Sequence, residues 1–240
     1  MITFLDLGRY GRLGNQLWQI ASTIGIAIKN ETDYSFPAWG YEQYFINSLP
    51  LISFREWKDY EEVNSSYQDI VLSDKFNWNL KGYFQSWKYF DHCKDLIRKQ
   101  FEFVGTPNRG AVGVHVRRGD YVNLNHIHPV LDLKYYIQAS RYFSPDRFDL
   151  YIFSDDISWC KENFTKRNFP RYNFVFSDGQ SDIDDFFSLC NCEHHIIANS
   201  SFSWWAAYLN EAPNKIIIAP KNYVIGEERN DRIPPEWTKI

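Results

Sequence analysis

Five short runs of apolar residues punctuate the second half of the chain, at 111–114, 150–153, 173–176, 195–198 and 215–219. They are rich in Val, Ile and Phe, and all but the last lead into a segment with helical spacing. A run that is apolar without alternation is buried on both faces, which marks a parallel strand covered by helices. Residues 133–143, 157–164, 182–189 and 204–209 supply the helical segments. The fold class is therefore α/β, built from strand–helix units. The N-terminus opens the same way. Residues 2–7 read as a strand, 8–15 as a glycine-punctuated loop, and 16–28 as a helix with a wide apolar surface. Between 31 and 79 the periodicity is lost, and that stretch reads as loops and short elements. Residues 91–103 are helix-like. Turn formers gather at 105–110, so the boundary falls there and separates 1–105 from 106–240.

Composition narrows the partners. With 240 residues and a formal net charge of −4, the chain has no broad basic field for nucleic acid. No apolar run is long enough to span a bilayer, and the N-terminus lacks a signal-peptide pattern. The expectation is a cytoplasmic protein, with peripheral membrane association through partners left open. Aromatic residues make up 18% of the chain, which suits either an aromatic core or flat amphipathic ligands such as sugars and bases. The four cysteines, Cys93, Cys160, Cys190 and Cys192, read as reduced thiols. Cys190 and Cys192 with His194 and His195 have tighter spacing than zinc sites use, so no metal is expected there.

The first strand of the second half ends in His115-Val116-Arg117-Arg118-Gly119-Asp120-Tyr121. Ligands of open α/β sheets bind at the carboxyl ends of strands. Guanidinium groups there stay charged and present a planar fork that matches phosphate. Asp120 is close enough to pair with an arginine, so a purely structural cluster is the competing reading. Ser154-Asp155-Asp156 ends another strand. One aspartate is expected to cap the next helix, and the other to be free for a ligand such as the N1–H and N2–H edge of guanine. Asn199-Ser200-Ser201-Phe202-Ser203 runs as a loop into a helix, with hydroxyls and amides suited to phosphate oxygens. Asp182 and Asp184 form an Asp-x-Asp, but they sit where acidic residues favour a helix start.

These pieces occur in the order found in the bacterial α-1,2-fucosyltransferases. The chain resembles that family through 11–16, 82–87, 115–121, 152–156, 198–205 and 234–240. The resemblance implies a GT-B-like enzyme with two Rossmann-like lobes and a cleft between them. The N-terminal lobe would be mainly on the acceptor side, and the C-terminal lobe would bind GDP-fucose. The implied reaction is a metal-independent, inverting transfer of fucose from GDP-β-L-fucose to the 2-hydroxyl of a galactoside or oligosaccharide. A different linkage or acceptor, or a non-catalytic nucleotide-sugar module, is the alternative. No cofactor is implied. By the resemblance, Arg117 is the main pyrophosphate ligand. His115, Arg118, Asn199, Ser200, Ser201, Phe202, Gly14 and Asn15 support donor binding, and Asp155 or Asp156 reads guanine. Arg117, Asp120 and His128 are the catalytic candidates, with the base open between Asp120, His128 and none. Two departures bear on the acceptor: Arg12 stands where the family's loop has a glycine, and 31–79 is short.

Overall fold

The computed structural model describes residues 1–53, 55–177, 181–226 and 231–240. The chain divides into two compact units. The first is Met1–Val104 with Asp231–Pro234, and the second is Gly105–Asn230 with Pro235–Ile240.

In the first unit, three parallel strands form a small sheet in the order β1-β3-β2: β1 (Ile2–Thr3), β3 (Trp78–Lys81) and β2 (Lys58–Glu61). Helix α1 (Leu13–Lys29) follows β1 and is buried over most of its length, with Lys29 complementing the dipole in its last turn. Trp18 of α1 packs on Phe90 at 5.6 Å between ring centroids. The stretch 31–79 is not wholly irregular, because β2 and the start of β3 lie in it. These strands are short and polar. Asn79 is buried in β3 because its side chain accepts from Leu5 N at 2.8 Å and donates to Asp59 at 2.8 Å. Pairing, not apolar content, makes them strands. The expected helix at 91–103 is shorter, comprising a 3₁₀ turn Asp91–Cys93 and α2 (Lys94–Gln100).

The second unit is built on six parallel strands. These are β4 (Asn108–Val116), β5 (Asp149–Ser154), β6 (Phe174–Phe176), β7 (Cys192–Ile196), β8 (Ile217–Ala219) and β9 (Thr238–Lys239). Their order is β6-β5-β4-β7-β8-β9. The chain thus builds outward from β4 in one direction and then returns to build from its other edge. This is the Rossmann-like order, and the reversal between β4 and β7 is its switch point. The helices are α3 (Leu133–Ser140), α4 (Ile157–Asn163), α5 (Asp182–Cys190) and α6 (Ser201–Leu209).

The core of this unit joins Val112, Val114 and Val116 of β4 to Tyr136 and Ala139 of α3 and to Leu150 and Ile152 of β5. Gly113 lies in β4 because a Cβ there would meet Leu189 of α5 at 2.5 Å. Asp132 starts α3 by accepting from Tyr135 N at 3.1 Å. Among the described residues, no helix is long and apolar enough to cross a membrane.

Candidate active site

The carboxyl ends of β4, β5 and β7 carry the polar clusters. Two tyrosines of α3 hold the strand ends in place: Tyr136 donates to His115 O at 3.3 Å and Tyr135 donates to Ile197 O at 2.7 Å. The chain leaves β4 through Arg117 and Arg118 and turns at Gly119. Arg117 is 13% exposed at its side chain, pairing with Asp155 at 2.7 Å and also with Asp120. Arg118 pairs through Nε with Asp156 at 3.1 Å, and its guanidinium lies 4.1 Å from the centre of the Trp159 ring. The other Asp155 oxygen accepts from Arg118 N at 2.9 Å. Gly119 makes this approach feasible, since a Cβ there would come within 2.4 Å of Asp155 Oδ2.

One of the two aspartates caps the next helix, as expected. Asp156 is the cap of α4, accepting from Trp159 N at 3.2 Å while its second oxygen holds Arg118. Asp155, the aspartate that does not cap, is bonded to both arginines. Two guanidiniums face three carboxylates in this cluster, so an entering anion competes with carboxylates for the same cations. Asp120 is the exchangeable one. Its side chain is 54% exposed, against 25% for Asp155.

His115 is buried at 6% exposure, and burial with the neighbouring Arg117 charge lowers its pKa to about 3. It is a neutral imidazole at any working pH. Its ring lies 5.2 Å from Phe202 across the switch point, and its Nδ1 has no hydrogen-bond partner among the described residues. Asn199 and Ser200 are buried on the β7 side. Asn199 donates to Pro129 O at 3.0 Å and Tyr223 O at 3.2 Å, while its buried Oδ1 has no partner among the described residues. The loop expected through Ser203 is shorter, because α6 begins at Ser201 and takes Phe202 and Ser203 into its first turn. Ser200 is its N-cap residue, without a side-chain capping bond. Ser203 does not cap; its hydroxyl donates back to Ala198 O and Ser200 O, at 3.5 and 3.4 Å. Trp204 and Trp205 are fully buried core residues of the same helix.

His128 stacks on Tyr121 at 4.4 Å with 10° between rings, which brings it beside the cluster, and its buried Nδ1 has no partner among the described residues. Gly14 and Asn15 belong to the first unit, in the first turn of α1, where Asn15 accepts from Gln85 at 2.9 Å. Asp184 accepts from Ser181, its helix cap, and Asp185 accepts from Ser177, so α5's acidic turn serves its own helix. Among the described residues, no group of three His, Cys, Asp or Glu side chains is disposed to hold a metal ion. Cys190 and Cys192 are buried thiols, with Cys192 pushed up to about 12 by burial, and His195 Nε2 lies 2.9 Å from Leu189 O.

Tyr121 and Trp159 were not singled out from sequence, yet each carries an arginine on its ring. For Tyr121 the signal was present: an aromatic residue directly after the Arg-Arg-Gly-Asp turn. For Trp159 there was none, because only the fold places α4 beside β4's end.

A Rossmann-like sheet with paired arginines and a polar helix start at its switch point defines a nucleotide-binding type of α/β domain, suited to a phosphorylated donor. The comparisons make this specific. The sequence model of glycosyl transferase family 11 matches residues 27–240. The chain belongs to that family and is a glycosyltransferase. An alpha-1,2-colitosyltransferase of Escherichia coli is 29% identical, over 96% of each chain. The O-antigen biosynthesis glycosyltransferase WbnK of the same species is 28% identical, over 89% of this chain and 76% of its own. The galactoside alpha-(1,2)-fucosyltransferase 1 of Homo sapiens is 30% identical, and the match covers 83% of this chain and 63% of that one.

Proposed function

We propose that the enzyme transfers L-fucose from GDP-β-L-fucose to the 2-hydroxyl of a galactose-containing acceptor, with inversion and without a metal. The observation that carries this reading is the Arg117–Arg118 pair at the switch point, next to Asn199 and the start of α6. The acceptor oxygen attacks the anomeric carbon, the bond from that carbon to the β-phosphate oxygen breaks, and GDP leaves. Negative charge grows on the β-phosphate as it departs. Arg117 is its principal ligand in this reading, with Arg118, His115, Asn199, Ser200, Ser201 and Phe202 around the donor. Fixed cations in a site shielded from water stabilise such charge without reorganisation. Asp155 or Asp156 reads guanine through lone pairs left over from the arginines, since a carboxylate accepts about four hydrogen bonds. The acceptor proton goes to Asp120, to His128 or, in a loose transition state with no strong base, to solvent. The enzyme in this reading is GT-B-like, with the first unit mainly on the acceptor side and Gly14 and Asn15 contributing to donor binding.

The E. coli colitosyltransferase match supports a second reading, in which the donor sugar is colitose. The test is a matrix of GDP-fucose and GDP-colitose against galactosides, scored by GDP release and by linkage analysis of the product. An α-1,2-fucosylated galactoside is the expected outcome. Exclusive use of GDP-colitose selects the second reading, and release from neither donor refutes both.

A further inference from the structure

Tyr121 is absent from the residues assigned above, yet four contacts converge on it and its neighbours. Its hydroxyl donates to Asn199 O at 3.1 Å, joining the turn after β4 to the segment after β7. Asn199 in turn donates to Pro129 O at 3.0 Å. Pro129 follows His128, and the His128 ring stacks on Tyr121 at 4.4 Å. The circuit closes on itself: turn, β7 loop, 123–129 loop, and back to the turn. On this closed circuit rests the Arg117 guanidinium, 5.1 Å from the centre of the Tyr121 ring.

We infer that Tyr121 is a positioning residue for donor binding, holding Arg117 in the orientation that receives the diphosphate. The inference rests on the donor reading proposed above. Its physical basis is pre-organisation. A free arginine side chain carries rotamer entropy that a ligand must otherwise overcome when it binds. Asp120, its side chain 54% exposed, is too exposed to fix Arg117 by itself. Asp155 holds only one edge of the guanidinium. The aromatic face supports the guanidinium plane without competing for the N–H groups that an anion needs. The hydroxyl then fixes the ring relative to Asn199 on the opposite side of the switch point. A ring that only filled space would need neither the hydroxyl bond nor the cation on its face.

The test compares Tyr121→Phe and Tyr121→Leu with the unaltered enzyme, each also in an Arg117→Lys background. GDP affinity is measured by titration calorimetry, and kcat and KM with GDP-fucose are measured alongside. Tyr121→Phe keeps the ring and loses one hydrogen bond, so GDP should bind about 3-fold more weakly. Tyr121→Leu loses the platform as well and should weaken GDP by about 10- to 30-fold. KM should move more than kcat. In the Arg117→Lys background both changes should shrink, because residues acting through one another are not additive. Equal factors in the two backgrounds, or a Tyr121→Leu enzyme that binds GDP normally, overturn the inference while leaving the donor reading in place. An unaltered enzyme that does not bind GDP overturns both. Should Tyr121→Leu fail to fold, the Tyr121→Phe cycle gives the same decision from its smaller factor.

Discussion

Replacing Arg117 with alanine should abolish transfer while leaving a folded protein, and the structure allows both halves to be estimated. Loss of one fixed donor to the developing negative charge typically costs about 100- to 1,000-fold in kcat, or roughly 2.7–4 kcal/mol. The effect on stability depends on what the missing guanidinium leaves behind. Asp120, with its side chain 54% exposed, returns to water at little cost. Asp155 is 25% exposed and keeps its bond from Arg118 N. Neither becomes a stranded buried charge, so the penalty is about 1 kcal/mol rather than the 3–5 kcal/mol of a broken buried pair. For a chain of this size, that lowers the melting temperature by about 2–4 °C. GDP release from GDP-fucose with a galactoside present measures the rate, and thermal denaturation measures the fold. Turnover within about threefold of normal would refute the role of Arg117 in leaving-group stabilisation. Loss of turnover with a fall in melting temperature far beyond that estimate would make Arg117 a folding residue instead.

Asp120→Asn removes the carboxylate that occupies Arg117 and should tighten GDP binding by about 2- to 5-fold, the scale of a half-exposed ion pair; weaker binding contradicts the exchange. If turnover of the same variant falls about 100-fold or more, Asp120 is the base, and if it stays near normal, His128 is favoured. Activity should survive EDTA in full, whereas loss that manganese restores would redirect attention to Asp182 and Asp184. Acid should destabilise the second unit through His115 and His195, both lowered by burial to about 3. Below the ordinary value of about 6.5 the unfolded chain binds protons that the folded chain refuses, so their contribution is intact above that pH and fades as pH falls toward 3. At pH 5 the loss is about 2 kcal/mol for each histidine, read as a lower urea midpoint, and an unchanged midpoint would contradict their burial.

The strands β4, β5 and β8 were legible because their apolar runs are buried inside a helix-covered sheet. β6 lies at the sheet edge with Val175 exposed, and β7 begins at Cys192, ahead of the expected run at 195–198, where pairing with β4 makes polar residues a strand. Strands β2, β3 and β9 were not legible. Trp78–Lys81 and Thr238–Lys239 carry little apolar signal, and partners distant in sequence make them strands. Helix α6 starts earlier than its apolar pattern suggests because Ser203 satisfies its hydroxyl on backbone carbonyls behind it. Its polar first turn therefore looks like loop in one dimension.

For the site, the chain alone determined the chemistry on offer: adjacent arginines after a buried strand, carboxylates after the next, and an Asn-Ser-Ser run before a helix. Residue type and local spacing are enough for that, since both are properties of contiguous segments. Only the tertiary structure decided who meets whom. It placed β7 beside β4, which sets Phe202 against His115 and the Tyr121 hydroxyl against Asn199. It committed Asp155 to the arginines and left Asp120 exposed enough to yield. Those are contacts between residues about 40 to 90 positions apart, and strand order, which no local pattern encodes, sets them.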